Sequence, residues 1–315
     1  MVTVPVGIDD ATQFVTGRFD PTAELIALEG GAWSQAYAFG HGGRDLVIRF
    51  GTHRDDYERD RVAHQLLGAS LPVPEILEIG DAFGGVYAVA PRAHGEPLEL
   101  LDADGWQRVV RAVLDLLDAL RTADLATTVG YGPWDARANA GFSSNREHVL
   151  SVADRGSGAG DRLAGWRREL ERRPATADLF ARGYARLVGM QSAIPEDRHV
   201  AHCDLINRNV LVSGDTISSV LDWGCAVTGD HLYDVAWMGL WQEWHPGLAA
   251  IDIVAAQRSD LQARGVDTTD YEARITVAQL HQGLANLAYN VWTGIEEHIR
   301  ATGDVLAAVI ARAWS

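Results

Sequence analysis

The chain contains no lysine, and all 27 of its basic residues are arginine, against 43 aspartate and glutamate residues. The resulting formal charge of -16 argues against nucleic acid as a partner, because phosphate backbones are bound by clustered basic side chains. The same negative potential attracts a cationic small molecule. A phosphate-binding role in this protein must therefore be carried by arginine.

Other features are scarce as well. Cys203 and Cys225 are too few for a disulfide scaffold, so we expect two reduced thiols. The segment Met1 to Asp10 lacks the basic and apolar regions of a signal peptide. The apolar-rich stretch Val109 to Leu120 is interrupted by three charged residues, which argues against a membrane span. We expect a cytoplasmic monomer with no membrane partner.

The length of 315 residues and the hydrophobic content of 47% predict two lobes, at roughly 150 residues per domain. The fold class predicted is α+β, with a small sheet-rich N-terminal lobe (1–92) and a larger, mainly helical C-terminal lobe (93–315). In the first lobe, short apolar runs between glycine-rich turns predict strands, and one longer run predicts a helix. The strands are Trp33 to Phe39, Leu46 to Phe50, Ile76 to Ile79 and Val86 to Val89, and the helix is Tyr57 to Leu67.

One set of polar residues in the second lobe indicates a catalytic function. His202 to Asn209 reads H-x-D-x-x-x-x-N, and two strand candidates joined by a Ser-Gly-Asp turn connect it to Asp222-Trp223-Gly224. Because a hairpin brings its ends together, Asp204, Asn209 and Asp222 are expected to converge. Phosphoryl transfer needs a carboxylate for the attacking hydroxyl and oxygen ligands for Mg²⁺. An isolated H-x-D is more often a turn with a capping aspartate, but the full set favours function.

The loop, the hairpin and D-W-G resemble the catalytic and metal loops of the protein-kinase superfamily. Gly229 to Ala236 resembles the G-D-P-L-Y-D-L-A stretch of aminoglycoside phosphotransferases, in which Asp230 or Asp234 would brace the catalytic loop. Leu71 to Leu77 and Gly130 to Pro133 are similar to the hygromycin B phosphotransferase branch of that family.

The resemblance implies a bilobal protein-kinase-like fold and regiospecific O-phosphorylation of an aminocyclitol antibiotic such as hygromycin B, giving resistance. It implies ATP or GTP as the phosphoryl donor, with Mg²⁺. By the same resemblance Asp204 is the catalytic base that meets the substrate hydroxyl, while Asn209 and Asp222 bind the metal.

The nucleotide side is predicted from position. The backbone of the turn Gly30-Gly31 and of Ser34 would cover the triphosphate, although a plain hairpin turn explains the glycines equally well. Arg49 stands where kinases place a strand lysine, and the branch pattern also has arginine there. Glu58 on the following helix would hold it, with Asp60 as the competitor. Ala90 and Arg92 link the two lobes and, by position, would form the hinge beside the adenine.

Two groups of residues are candidates for the substrate pocket. The first follows the metal loop where the branch carries W-x-x-W, with helix packing as the alternative, and comprises Trp241, Glu243 and Trp244. The second is spaced at three and four along a later helix, with a solvated polar stripe as the alternative, and comprises Gln279, Gln282 and Asn286.

Three functions compete at this point: an antibiotic phosphotransferase, a metabolic kinase acting on a sugar, amino acid or choline-like alcohol, and a catalytically idle binding pseudokinase. The intact Asp204, Asn209 and Asp222 argue against the third. The first two share their chemistry and differ only in the pocket.

Overall fold

The computed structural model of the protein describes residues 6–28, 34–154 and 163–312. Its N-terminal part is rich in sheet, as predicted. The elements are α1 (Ile8–Arg18), β1 (Ile26–Ala27), β2 (Ser34–His41), β3 (Arg44–Gly51), α2 (Arg54–Leu67), β4 (Glu78–Ala82) and β5 (Gly85–Pro91). The five strands form one antiparallel sheet in the order β1-β2-β3-β5-β4.

The two faces of this sheet are covered by different helices. Phe14 and Val15 of α1 belong to an aromatic-rich cluster with Phe50 and Tyr87 on one face, and α1 was not predicted from the sequence. Tyr57 of α2 packs on the other face. The strand predicted at Ile76 begins later, at Glu78, and Ile76 is a buried member of the same cluster as Tyr57.

Arg49 lies in the middle of β3, on the face that α2 covers. In the strand register it is opposite Ala36 of β2 and Ala88 of β5. Both neighbours carry only a methyl group, so the long arginine side chain has room to extend across the sheet toward α2.

The remainder of the described chain is mainly helical, as predicted. Its strands are β6 (Glu96–Pro97), β7 (Tyr131–Trp134), β8 (Ala140–Phe142), β9 (His199–Ala201), β10 (Val210–Ser213), β11 (Thr216–Val220) and β12 (Val227–Gly229). Its helices are α3 (Ala103–Arg121), α4 (Asn145–Leu150), α5 (Trp166–Glu171), α6 (Pro174–Gly189), α7 (Tyr233–Trp241), α8 (Pro246–Ala249), α9 (Ile253–Ala263), α10 (Tyr271–Thr293) and α11 (Glu296–Ala311).

The helical core is organised around α3 and α10. The Asp102 side chain caps α3 by accepting a hydrogen bond from the Gly105 amide (2.7 Å), and the apolar residues predicted for this helix, such as Trp106 and Val113, are buried. Helix α10 is buried on several sides because it packs against α6, α7 and α11. Among the described residues, no helix combines the length and apolar character needed to cross a bilayer.

Two small sheets hold the segment that carries the predicted catalytic and metal-binding residues. The predicted hairpin is confirmed: β10 and β11 pair antiparallel, with Val210 opposite Val220, and Gly214 turns the chain with a φ of 66°. The second pairing was not predicted and joins β9 to β12, with Ala201 opposite Val227. Ala201 precedes the catalytic loop and Val227 follows the metal loop, so the outer ends of both loops are held in one sheet.

Candidate active site

Asn209 and Asp222 meet at the open end of the hairpin. The Leu221 amide donates to the Asn209 carbonyl (2.7 Å), which places Asp222 directly beside Asn209. The His202 ring Nε2 donates to the Leu221 carbonyl (2.8 Å), which ties the start of the catalytic loop to the same point. The structure thus brings the two predicted metal ligands together.

Hydrogen bonds from two asparagines of its own loop hold Asp204 beside this junction. Its Oδ2 and its backbone carbonyl both accept from the Asn209 amide nitrogen (3.0 and 2.8 Å), and its Oδ1 accepts from Asn207. Burial, together with the charge of Asp222, raises the pKa of Asp204 to about 7, although the hydrogen bonds from Asn207 and Asn209 oppose the rise. The two carboxylates are therefore within electrostatic reach of each other.

The oxygen atoms at this junction suit a hard divalent cation. The Asn209 amide nitrogen is turned to Asp204, which leaves the amide oxygen of Asn209 for a ligand. Burial raises the pKa of Asp222, and the carboxylates of Asp60 and Asp56 add to the rise, so a bound cation would stabilise the ionised form. Carboxylate and amide oxygens are the ligands that Mg²⁺ prefers.

The site does not by itself complete a coordination shell. Within the described part of the chain, no three His, Cys, Asp or Glu side chains come together as a metal cage. A magnesium ion at Asn209 and Asp222 would therefore take its remaining ligands from water and phosphate oxygens, as this ion usually does.

Three residues of the two loops adopt the left-handed conformation that non-glycine residues avoid: Cys203 (φ 64°), Arg208 (φ 63°) and Asp222 (φ 57°). In each case a carboxylate accepts a hydrogen bond from an amide at or beside the strained residue. Asp234 accepts from His202 and Cys203 (2.9 and 2.7 Å), Glu99 accepts from Arg208, and Asp60 accepts from Trp223 (2.8 Å). The strained loop geometry is thus maintained by buried anions.

Asp234 is therefore the residue that braces the catalytic loop, one of the two possibilities raised by the sequence. Asp230 instead pairs with Arg274, whose Nε donates to its Oδ2 (2.9 Å). Both carboxylates lie in the same short stretch of sequence, and only the direction of each side chain separates their roles.

Asp234→Asn is expected to lower the free energy of unfolding by about 2 kcal/mol, because the new amide group would place N–H donors against one of the two loop N–H donors. We expect kcat to fall by about tenfold as the loop loosens. Urea unfolding and steady-state kinetics measure both effects. Asp215→Asn, an exposed position in the hairpin turn, is the matched control, and equal stability of the two variants would contradict the bracing role.

The tryptophan of D-W-G anchors the metal loop. Trp223 is fully buried, its ring stacks on that of Trp134 (centroids 6.3 Å apart) and meets the edge of the His202 ring (4.7 Å). Burial lowers the pKa of His202 and so favours the neutral ring, in which the protonated Nε2 donates to the Leu221 carbonyl. His202 is therefore a scaffold residue.

Arg49 pairs with Asp60, and the prediction that Glu58 holds it is wrong. The Arg49 guanidinium donates to Asp60 Oδ2, while Glu58 accepts from Arg61 (2.7 Å). The reason is the rotational phase of α2. Its buried residues are Tyr57, Asp60, Ala63 and Leu67, so the carboxylate three residues after Tyr57 faces the sheet and Glu58 does not.

Helix α2 also reaches the metal loop through Arg59. This side chain donates to the carbonyls of Trp134 (2.7 Å) and Gly224 (3.3 Å) and pairs with Asp56 (2.9 Å). Together with the bond from the Trp223 amide to Asp60, these contacts fasten α2 to the metal loop at two points.

The structure says less about the other residues that were predicted to contact the nucleotide. Gly30 and Gly31 lie outside the described residues, and Ser34 begins β2 opposite Gly51. Ala90 is opposite Val47 in the sheet, and the Arg92 amide donates to the Asp45 carbonyl (2.9 Å). Their contact with a nucleotide stays a prediction.

The W-x-x-W segment follows α7, whose first turn carries Asp234. Trp237, Trp241 and Trp244 form a ladder of edge contacts, with centroids 5.7 and 6.1 Å apart. Trp244 at the outer end is 55% exposed, and Glu243 beside it is also exposed. Packing accounts for the inner rings of the ladder, while Trp244 and Glu243 are free to meet a ligand.

The polar stripe on α10 does not line an open cleft, which corrects the prediction. Gln279 and Gln282 are buried and donate to the carbonyls of Ala236 (3.3 Å) and Tyr233 (3.0 Å) on α7. The Asn286 side-chain oxygen accepts from Thr302 on α11 (2.9 Å). These amides hold α10 against its neighbours, because a buried polar group on a packed helix needs a partner.

The side of α10 that faces Asp204 is aromatic. Burial raises the pKa of Tyr289, and the nearby Cys225 and Asp204 raise it further, which places its hydroxyl near both loops. The ring of Trp292 lies 6.1 Å from that of Tyr289. Tyr289 therefore lies near the predicted base, as one half of a partly buried aromatic pair.

A comparison with known families supplies the decisive observation. The sequence model of the "Phosphotransferase enzyme family" matches residues 24–268, which is well over half of the chain. This chain belongs to the phosphotransferase enzyme family.

Individual proteins similar to this phosphotransferase are likewise named as a kinase or a phosphotransferase. Hygromycin-B 4-O-kinase of Escherichia coli is 28% identical over 276 residues, which span 87% of this chain and 79% of the relative. A crystal structure of a thermostable mutant of aminoglycoside phosphotransferase APH(4)-Ia, in ternary complex with AMP-PNP and hygromycin B, superposes with a TM-score of 0.82 at 25% identity, covering 95% of this chain and 97% of that one.

A more distant structure supports the fold alone. The GDP complex of aminoglycoside 2'-phosphotransferase-IIIa has a TM-score of 0.66 at 15% identity and covers 96% of this phosphotransferase and 97% of its own chain. The predicted α+β, kinase-like fold and the predicted phosphotransferase class are confirmed.

Three contact residues of this phosphotransferase were not anticipated: Arg59, Glu99 and Tyr289. Arg59 and Glu99 carry no motif, and each has a backbone partner more than a hundred residues away, Gly224 and Arg208 respectively. Tyr289 had a usable signal, since it follows Asn286 by three residues on the predicted helix. The helix was recognised, but the face turned to the site was not.

Proposed function

We propose that this phosphotransferase moves the γ-phosphoryl group of ATP or GTP to a hydroxyl of an aminocyclitol aminoglycoside, with hygromycin B as the first candidate. The observation that carries the proposal is the junction of Asp204 with Asn209 and Asp222, in a chain similar to a hygromycin-B 4-O-kinase over 87% of its length. The monomeric state, the cytoplasmic location and the two-lobe division at residue 92 remain part of the proposal.

The proposed reaction is an in-line displacement at phosphorus. The acceptor hydroxyl oxygen forms a bond to the γ-phosphorus, the bond from that phosphorus to the β,γ-bridging oxygen breaks, and the hydroxyl proton passes to Asp204. Asn207 and Asn209 orient the Asp204 carboxylate by donating to its two oxygens. Mg²⁺, held by Asn209 and Asp222, would offset negative charge on the phosphates.

A cationic acceptor fits the electrostatics of the chain. The formal charge is -16, and the charge of Asp222 acts on Asp204 at the site itself. The exposed Glu243 and the rings of Trp244 and Tyr289 offer an anion and apolar faces to an amino sugar. Their contact with the acceptor is proposed from these positions.

The test is a phosphorylation assay on the purified chain with Mg²⁺, in parallel with ATP and GTP. Hygromycin B and other aminocyclitols form one panel, and choline, amino-acid alcohols and simple sugars form the other. We expect nucleoside diphosphate release that depends on hygromycin B, and a product heavier by one phosphoryl group. Turnover confined to the second panel would replace the antibiotic assignment with a metabolic one. No acceptor-dependent turnover in either panel would refute the transferase proposal.

Asp222→Asn is expected to raise the Mg²⁺ concentration for half-maximal rate by at least about tenfold, because an anionic oxygen ligand becomes neutral. A magnesium titration at saturating nucleotide measures the shift, and excess chelator should abolish turnover in the unmodified enzyme. Asp215→Asn removes a charge of the same kind from an exposed turn and serves as the control. Equal magnesium dependence in both variants would exclude Asp222 as a ligand.

A further inference from the structure

Arg49 is held by two residues of α2, and only one of them is a carboxylate. Asp60 accepts from the end of the guanidinium group, while the ring of Tyr57 lies under it, with the guanidinium carbon 5.0 Å from the ring centroid. Tyr57 precedes Asp60 by three residues, so both side chains leave the helix on the same face.

The Tyr57 ring is itself firmly placed. It is 4% exposed and packs with Ile76, Val86 and Ala88. Its hydroxyl oxygen is buried and has no hydrogen-bond partner among the described residues. Hydrogen bonding therefore does not explain the position of this side chain, and its polar interaction is the contact of its ring face with Arg49.

Arg49 keeps part of its hydrogen-bonding capacity for a ligand. Among the described residues, Asp60 is the hydrogen-bond partner of its guanidinium group, and its side chain is 23% exposed. Burial by itself would lower the pKa of Arg49, but the ion pair with Asp60 outweighs this effect and raises the pKa, so the group is always cationic. A free N–H edge on a permanent cation is suited to phosphate oxygens.

An aromatic ring is needed beside Arg49 because this cation is an arginine and not a lysine. A lysine ammonium is a compact charge that one carboxylate can position, whereas a guanidinium is a plane whose orientation decides which edge meets the ligand. A carboxylate bound at one end of the guanidinium still lets its plane rotate about that contact. An aromatic face beneath the plane prevents this rotation. This chain contains no lysine, so its strand cation depends on such support.

We propose that Tyr57 is a positioning residue for the nucleotide: its ring face orients the Arg49 guanidinium so that the free edge meets the triphosphate. The inference rests on the proposed function only in requiring a bound nucleotide, and it does not depend on the identity of the acceptor.

The test is calorimetric titration of the full chain with AMP-PNP and Mg²⁺, without acceptor. Tyr57→Leu is expected to raise Kd about tenfold, while Tyr57→Phe, which keeps the ring, should stay within about threefold of the unmodified protein. Thermal melting of each variant establishes that it is folded at the assay temperature. Should the leucine variant fail to fold, Tyr57→Met, which also removes the ring, takes its place here and in the double-mutant cycle.

A double-mutant cycle with Arg49→Lys distinguishes positioning from packing. Arg49→Lys is expected to weaken AMP-PNP binding by about tenfold, and adding Tyr57→Leu or Tyr57→Phe to it should change Kd by less than about twofold, because an ammonium has no plane for the ring to orient. Equal losses from Tyr57→Leu in both backgrounds, or a tenfold loss in Tyr57→Phe alone, would overturn the proposal. Tight AMP-PNP binding without hygromycin B phosphorylation would refute only the proposed acceptor, and absence of AMP-PNP binding would overturn both.

Discussion

Asp204→Ala is expected to lower kcat by at least about a hundredfold, the usual consequence of removing a positioned general base. Among the described residues, neither neighbouring carboxylate can replace it, since Asp222 follows the second strand of the hairpin and Asp234 accepts from two loop amides with its two oxygens. The two asparagines that orient Asp204 would remain but would have no carboxylate to hold.

The measurement is single-turnover and steady-state phosphorylation of whichever acceptor the panel identifies. AMP-PNP affinity provides the control, because the base contacts the acceptor and not the nucleotide, and it should change by less than about threefold. A near-normal kcat in the alanine variant would remove Asp204 from the role of base. A parallel loss of nucleotide binding would instead indicate collapse of the loop.

Asp60→Asn is expected to have the second large effect. Asp60 is 5% exposed, and its two oxygens serve different lobes: Oδ2 accepts from Arg49 and Oδ1 from the Trp223 amide of the metal loop. Loss of its charge leaves Arg49 without a counterion in a largely buried position, which costs about 3 kcal/mol of unfolding free energy. We expect kcat/KM for the nucleotide to fall by about a hundredfold, since both the strand cation and the metal loop lose their tether.

Glu58→Gln provides the matched comparison on the same helix. Glu58 is partly buried, but its partners Arg61 and, more loosely, Arg54 are exposed, so neutralising it should cost no more than about 0.5 kcal/mol and leave kcat/KM within about twofold. Urea unfolding and nucleotide kinetics on the two variants test the assignment directly. If Glu58→Gln were the more damaging change, the pairing of Arg49 with Asp60 would be excluded.

The chemistry of the loops was readable from the sequence because it depends on local spacing. The hairpin between Asn209 and Asp222 is formed by two adjacent apolar runs, and a glycine turn joins them, so their ends had to meet. The same local periodicity predicted α3 and its buried face. Short-range patterns of this kind survive folding because neighbours in sequence pair before distant partners matter.

The contacts that hold the loops in place were not readable in this way. The pairing of β9 with β12 and the carboxylates that accept from strained amides join residues far apart in sequence. A backbone amide is the same at every position, so the sequence gives no sign of which carboxylate will accept from it. Asp234 was one of two possibilities for this reason, and Glu99 was not anticipated.

The rotational phase of two helices also could not be read from the sequence. The sequence by itself determined that α2 and α10 are helices, which loop bears the aspartate proposed as the base, and that the candidate strand cation is an arginine. Only the tertiary structure decided that Asp60 rather than Glu58 faces Arg49, and that Tyr289 rather than the glutamine stripe faces Asp204. The physical reason is that spacing defines which side chains share a helix face, whereas the packing of the whole chain decides what that face meets.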